Sequence, residues 1–265
     1  MPSARTTVLV ALAALGVSCH SGPPTAIHPS LAARVPRDAV ILAGVNLTGV
    51  RASPLPQQLP PAALGFLESL SAADSVLAAS DGARYLVLTR GSFRQARSGA
   101  TLLGPGLAAA GSPDWVRAAA SPQRQENAGV NALLDRAEPL AAAGDIWMVA
   151  AGNATLPLTG NGENLNRLLH STEYTTLSIR LTGQIAIEVV GMCSGPEAAR
   201  HLEETARAFI TLGAAGSARQ PALSGLLRRI RLTREDRAVH LTLVAQAAEV
   251  KTAFGFYLLA IRFHC

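Results

Sequence analysis

Pairs of strand-like segments limit the possible folds of this chain more than any other sequence feature. The clearest pair is residues 75–80 and 84–89, which are largely apolar and flank the dipeptide Asp81-Gly82. Because Asp-Gly tolerates the backbone angles of a tight hairpin turn, this stretch predicts two antiparallel strands. Two further alternating pairs follow along the chain: residues 175–181 with 185–190, and residues 229–233 with 238–244.

Helix starts separate these hairpins. Ser112-Pro113-Asp114 and Ser194-Gly195-Pro196-Glu197 each place a proline in a first helical turn that also contains an acidic residue. The alternation predicts an α+β fold, with antiparallel sheets built from hairpins and helices packed on one face. The order strand, helix, hairpin, helix recurs in residues 35–143 and 144–265. Two repeated β-α-β-β-α units are one explanation, and coincidence of a common element order is the other.

The N-terminal segment is predicted to be a signal peptide. Arg5 precedes an apolar stretch of about ten residues, too short to span a hydrocarbon core of ~30 Å. We therefore assign residues 1–18 to the signal peptide. Residues 19–34 are predicted to be the mature N-terminus and a flexible linker, because Pro and Gly are frequent there and hydrophobic periodicity is missing.

The sequence Leu15-Gly16-Val17-Ser18-Cys19 resembles the bacterial lipobox, in which the cysteine becomes the first mature residue and is acylated. With the segment Pro36-Arg37-Asp38-Ala39-Val40 before the first strand, it makes the chain similar to the cell-envelope lipoproteins of high-GC bacteria. The resemblance implies lipidation of Cys19 and attachment to a membrane on the periplasmic or outer side. A cleaved, freely secreted protein and an uncleaved anchor are the alternatives.

Charge and composition bear on the class of partner. The net charge is +5, while aromatic residues make up only 4% of the chain. Scarce aromatics and export both argue against nucleic acid as a partner, whereas a basic exterior favours acidic lipids or polymers. Arg229 and Arg231, in the densest arginine cluster, are predicted on one strand face as an anionic-surface contact. A solvated outer face is the alternative.

Motifs for chemistry are missing from the sequence. It contains no zinc signature, no GxSxG and no P-loop, so we assign no catalytic, metal or cofactor-binding residue and expect no cofactor. Glu197, His201 and Glu204 share one side of a helix, where a solvated face explains them better than a metal site. Cys193 and Cys265 are a candidate disulfide in an oxidising compartment. The alternative for Cys193 is a small buried side chain.

The first functional hypothesis is an exported, lipid-anchored envelope protein with a non-enzymatic binding or structural role. Its partners would be the membrane, through the N-terminal lipid, and an envelope protein or polymer. One alternative is an exported hydrolase whose active site matches no familiar motif. The other is a soluble, secreted periplasmic protein.

Overall fold

The computed structural model describes residues 26–59, 61–95, 99–121, 128–156 and 163–254, which form ten strands and nine α-helices. The strands are β1 (Ile41–Asn46), β2 (Ala73–Ser80), β3 (Tyr85–Gly91), β4 (Thr101–Gly104), β5 (Leu107–Gly111), β6 (Ile146–Ala151), β7 (Tyr174–Leu181), β8 (Ile185–Met192), β9 (Arg231–Glu235) and β10 (Ala238–Ala245). The helices are α1 (Pro29–Ala32), α2 (Leu47–Ala52), α3 (Pro61–Ser69), α4 (Pro113–Ala120), α5 (Ala128–Ala143), α6 (Glu163–His170), α7 (Pro196–Gly216), α8 (Pro221–Arg229) and α9 (Ala247–Phe254), with a short 3-10 helix at Pro56–Gln58.

The ten strands join one antiparallel sheet in the order β4-β5-β3-β2-β1-β6-β7-β8-β10-β9. The predicted hairpins are β2–β3, β7–β8 and β10–β9, so the antiparallel α+β prediction is confirmed. At the first turn Gly82 has a φ of 96°, and Asp81 Oδ1 accepts hydrogen bonds from the amides of Ala83 and Arg84. These contacts supply the turn chemistry that the Asp-Gly dipeptide predicts.

The order of the strands repeats between the two halves of the sheet. From the centre outward, the first half runs β1-β2-β3-β5-β4 and the second runs β6-β7-β8-β10-β9, with β1 and β6 paired in the middle. Duplication accounts for this shared order of strands, and it stays a prediction. The boundary between residues 143 and 144 stays a prediction.

Each half contains one more hairpin than the β-α-β-β-α pattern. In the first half it is β4–β5, around Gly106, whose φ is 67°. The sequence suggests only a turn there, because strands of four and five residues composed mainly of Leu, Ala and Gly show no polar alternation. In the second half the extra hairpin is β9–β10, which the sequence does predict.

Helices cover both faces of the first half of the sheet. Face 1, defined here by Leu42 and Leu77, packs against α4 and α5 through Trp115, Val130 and Leu133. Face 2 bears the intervening side chains of the same strands. Its cluster joins side chains of α2, α3 and α9 to strand ends: Leu47, Val50, Leu67, Ala73, Leu181, Ile185 and Ala247.

Over the outer strands of the second half, the helices lie on face 2. Leu202 of α7 packs with Val239, and Leu226 of α8 packs with Ala245. The opposite face of β8, β10 and β9 presents half-buried or exposed polar side chains: Glu188, His240, Thr242, Arg231, Thr233 and Glu235. The one-face arrangement that the hairpins predict therefore describes only these outer strands, because α5 packs on face 1 of β6.

Two helix boundaries differ from the sequence pattern. Ser53-Pro54 favours a helix start, but Ser53 ends α2, which begins one residue after β1. Asn46 explains this early start, because its Oδ1 accepts a hydrogen bond from the amide of Gly49 at 3.1 Å and caps the helix. The final helix is predicted from residue 247 to 263, and its part beyond residue 254 lies outside the described residues.

Candidate functional site

The structure divides the arginine cluster of residues 228–237. Arg234 Nε lies 3.2 Å from Glu203 Oε2 of α7, so this arginine ties β9 to the helix above it. Arg237, in the turn between β9 and β10, has its Nη1 3.4 Å from Oε2 of Glu173, which directly precedes β7. Both arginines thus have carboxylate partners away from the rest of the cluster.

The other three arginines surround an open cleft of about 610 Å³ at the junction of α8 and β9. We call it the basic cleft, and its lining residues are Arg228, Arg229, Ile230, Arg231, Thr242 and Val244. Thr242 reaches the cleft because β10 pairs with β9 in the register that places it opposite Arg231. Sequence reasoning missed Thr242 and Val244, since only strand pairing brings them to the arginines.

The predicted position of Arg229 is wrong. It is the last residue of α8, and β9 begins two residues later at Arg231. The helix starts with Pro221 at its first position and carries Leu223 and Leu227 one turn apart, and it continues to Arg229, the first residue of the predicted strand. Ile230, with φ −60° and ψ 124°, makes the change to extended backbone.

The charges of the basic cleft are incompletely balanced. Arg229 Nη2 donates to Glu249 Oε2 at 2.9 Å, and the same carboxylate oxygen accepts from the amide of Gln246 at 2.8 Å. These hydrogen bonds, that of Arg229 first, hold the pKa of Glu249 below its ordinary value. Within the described part of the chain, Arg228 and Arg231 form no ion pair, and both are exposed. The cleft therefore carries two uncompensated guanidinium groups.

A second, more apolar cleft adjoins the basic cleft. Its volume is about 410 Å³, and it lies between α7, α8 and β9. We call it the apolar cleft, and its lining residues are Arg207, Ile210, Thr211, Ala214, Ala215, Leu227, Arg228, Ile230 and Leu232. Arg228 and Ile230 line both clefts, so a ligand with a charged and an apolar part could contact both.

Of the three cysteines, Cys193 alone lies among the described residues. Cys193 is completely buried among Ala199, Leu202 and Val239, and burial raises the pKa of its thiol. Cys265, its predicted disulfide partner, lies outside the described residues, so the disulfide stays a prediction. Cys19 also lies outside them, and its lipidation stays a prediction.

The helix face with Glu197, His201 and Glu204 is occupied by internal ion pairs. Arg200 contacts both Glu197 and Glu204 at 2.6 Å, and His201 Nε2 lies 3.3 Å from Glu197 Oε1. The hydrogen bond from Arg200 lowers the pKa of Glu197. Across the described ranges, no three His, Cys, Asp or Glu side chains come together as a metal site. Among the helices described there, none combines the length and apolar character of a membrane span.

Comparison with known proteins places the fold alone. No protein-family model and no curated protein matches the chain. Among solved structures, the chain is similar to crystal form III of TP0453, with a TM-score of 0.50 and 8% sequence identity over 84% of this chain and 97% of that one. Crystal form I of TP0453 gives a TM-score of 0.46, also at 8% identity, over 86% of this chain and 97% of that one. The likeness at this identity extends to the architecture of the sheet and helices.

Proposed function

We propose that this chain is an exported envelope protein, anchored through lipid at Cys19, whose basic cleft binds the anionic headgroup of an envelope lipid. Its role is binding and not catalysis. The N-terminal sequence supports export and acylation. The observation that carries the binding proposal is the pair of arginines, Arg228 and Arg231, which lack carboxylate partners among the described residues at the mouth of one cleft.

The geometry suits an anionic amphiphile. A guanidinium group offers a planar fork of donors that matches two oxygens of a phosphate or carboxylate, and Arg228 and Arg231 supply two such forks. The adjoining apolar cleft offers Ile210, Leu227 and Leu232 to the hydrocarbon beyond the headgroup. A lipid tether at the N-terminus would keep both clefts near a membrane surface.

Vesicle binding tests the cleft. A Cys19→Ala chain that also lacks residues 1–18 has neither the leader nor the acylated cysteine, and it should sediment with vesicles containing anionic lipid and not with purely zwitterionic vesicles. Each arginine near an anionic surface contributes about 1 kcal/mol, so the double substitution Arg228→Ala and Arg231→Ala should weaken binding roughly 30-fold. The matched control removes the same charge from two exposed arginines elsewhere, Arg117 and Arg180.

Three outcomes decide the proposal. An equal effect of the two double substitutions would show that binding follows net charge, and the basic cleft would lose its role. Loss of vesicle binding when a soluble acidic polysaccharide is added, at constant ionic strength, would make a polymer the preferred source of the anion. No binding to anionic vesicles in low salt would overturn the proposal.

Metabolic labelling tests the anchor. Labelled palmitate should enter the wild-type chain and be lost in Cys19→Ala. Cleavage of the signal peptide without label in either chain would instead identify a soluble, secreted protein.

A further inference from the structure

β9 lies at an edge of the sheet that the described residues form. β9 is the last strand of the sheet, and among the described residues no strand pairs with its outer side. Four of its five residues are exposed and Leu232 is half-buried. An unpaired edge of this kind presents a row of backbone donors and acceptors to another strand. Charged side chains usually discourage such pairing, so their order along the strand decides which partner fits.

The sequence of β9 is complementary to itself in the antiparallel sense. From its start it reads Arg231, Leu232, Thr233, Arg234, Glu235. If a second copy pairs antiparallel about Thr233, Arg231 lies opposite Glu235 of the other copy, and the reverse pair forms as well. Residues directly opposite in an antiparallel pair have Cβ atoms ~5 Å apart, where opposite charges attract. We propose that β9 is a docking surface for a second copy of this chain, joined edge to edge in this register.

Neighbouring registers fit less well. A register in which each residue moves to the next partner residue is excluded, because it brings side chains from opposite faces of the sheet together. Pairing about Arg234 sets this arginine against its own copy and Arg231 against Arg237. Pairing about Leu232 sets Arg231 against Thr233 and leaves Glu235 beyond the paired segment, because Arg229 belongs to α8. Centring on Thr233 is the register that pairs the whole strand and both charges on face 1.

The side chains on face 2 tolerate the same register. Leu232 would lie opposite Arg234 of the second copy, and Arg234 is already neutralised by Glu203 at 3.2 Å. The arginine can therefore place its aliphatic stem against Leu232 without bringing an unpaired charge to it. The strand at the other end of the described sheet, β4, reads Thr-Leu-Leu-Gly and contains no charge that could select a register.

Exchange of the two charges tests the pairing. Sedimentation of the Cys19→Ala chain, over the widest soluble concentration range, measures its dimerisation. Glu235→Arg alone turns both attractive pairs into repulsive ones and should weaken dimerisation at least about tenfold. Adding Arg231→Glu restores opposite charges in reversed order, so the double variant should dimerise again. A wild-type chain that stays monomeric, or a double variant no better than Glu235→Arg, would overturn the proposal.

Cross-linking tests the register in a chain that carries both Cys19→Ala and Cys265→Ala. Thr233 faces its own copy in the proposed pairing, so Thr233→Cys should form a disulfide between two chains on mild oxidation. Thr101→Cys, on the β4 edge, should not. Equal cross-linking at both positions would refute the assignment to β9. Arg231 also lines the basic cleft, so its pairing with Glu235 of a second copy and its contact with a lipid headgroup exclude each other, and the proposed dimer is a state of the lipid-free protein. Because these measurements contain no lipid, their failure leaves the vesicle result untouched.

Discussion

Gly44 occupies a position where a side chain has no room, and Gly44→Ala tests how the centre of the sheet is packed. It lies within β1, directly opposite Trp147 of β6 and Leu77 of β2. A Cβ added at Gly44 would meet Trp147 Nε1 at 2.5 Å and would approach ring atoms Cε2 and Cζ2 more closely. The indole is 5% exposed and belongs to the main core cluster, so it has little space into which to move.

The expected cost follows from this geometry. Restoring an ordinary carbon–carbon separation requires a shift of about 1 Å between the indole and the new methyl group. Overpacking of a well-packed core costs about 1–3 kcal/mol. For a domain of this size, that corresponds to a fall in Tm of about 2–12 °C. Thermal and urea unfolding of Gly44→Ala, followed by circular dichroism, measure the change.

Gly65 provides the matched control. It lies within α3, and no heavy atom lies within 4 Å of a Cβ added there, so Gly65→Ala should raise stability by about 0.5–1 kcal/mol through helix propensity. Trp147→Phe supplies the second arm, because a smaller ring should reduce the cost of Gly44→Ala in a double-mutant cycle. If Gly44→Ala were as stable as wild type, or equally costly in the Trp147→Phe background, the argument that the indole excludes the methyl group would fail.

Two further predictions concern titratable side chains. Backbone and side-chain hydrogen bonds from Arg84 lower the pKa of Asp81, and the side-chain hydrogen bond of Arg84 lowers the pKa of Asp114. The stabilisation of the folded state that these shifts provide is present above the ordinary pKa of 3.8 and is lost as the pH falls below it. Arg84→Ala should therefore lower Tm by more at pH 7 than at acid pH, where the two carboxyl groups become protonated, and an equal difference at every pH would contradict the linkage. In a chain lacking the other two cysteines, the buried Cys193 should react with a thiol reagent only after denaturation, and rapid reaction of the folded chain would contradict its burial.

Local patterns predicted those parts of the fold that depend on neighbours in the sequence. The hairpin at Asp81-Gly82 and the helix after Ser112 follow from turn and proline chemistry within four or five residues. Strand order depends on contacts between distant segments, so the pairing of β1 with β6 has no local signal. The β4–β5 hairpin was not predicted for a different reason. Its short apolar strands lack the alternation of polar and apolar residues by which a strand is recognised in a sequence.

The candidate site was predictable only as a concentration of charge. The sequence identifies Arg229 and Arg231, but it does not show that Arg234 is neutralised by Glu203. That distinction requires the packing of α7 over β9. No local sequence pattern predicts the apolar cleft. Ile210 of α7 and Leu232 of β9 both line it only because the chain turns back between α7 and α8 and then enters β9.

Comparison of the two halves of the sheet locates the site where their likeness ends. In the first half, β3 and β4 are joined by residues 92–100, whereas β8 and β9 are joined by two helices, α7 of 21 residues and α8 of 9. These helices, with β9 and β10, supply nearly every residue that lines the basic and apolar clefts, and Ile230 joins α8 to β9 between them. The order of the strands is the same in both halves, whereas this connection differs. The two helices lie between strands whose counterparts in the first half are joined by a short connection, so the binding role proposed here belongs to the segment that distinguishes the second half.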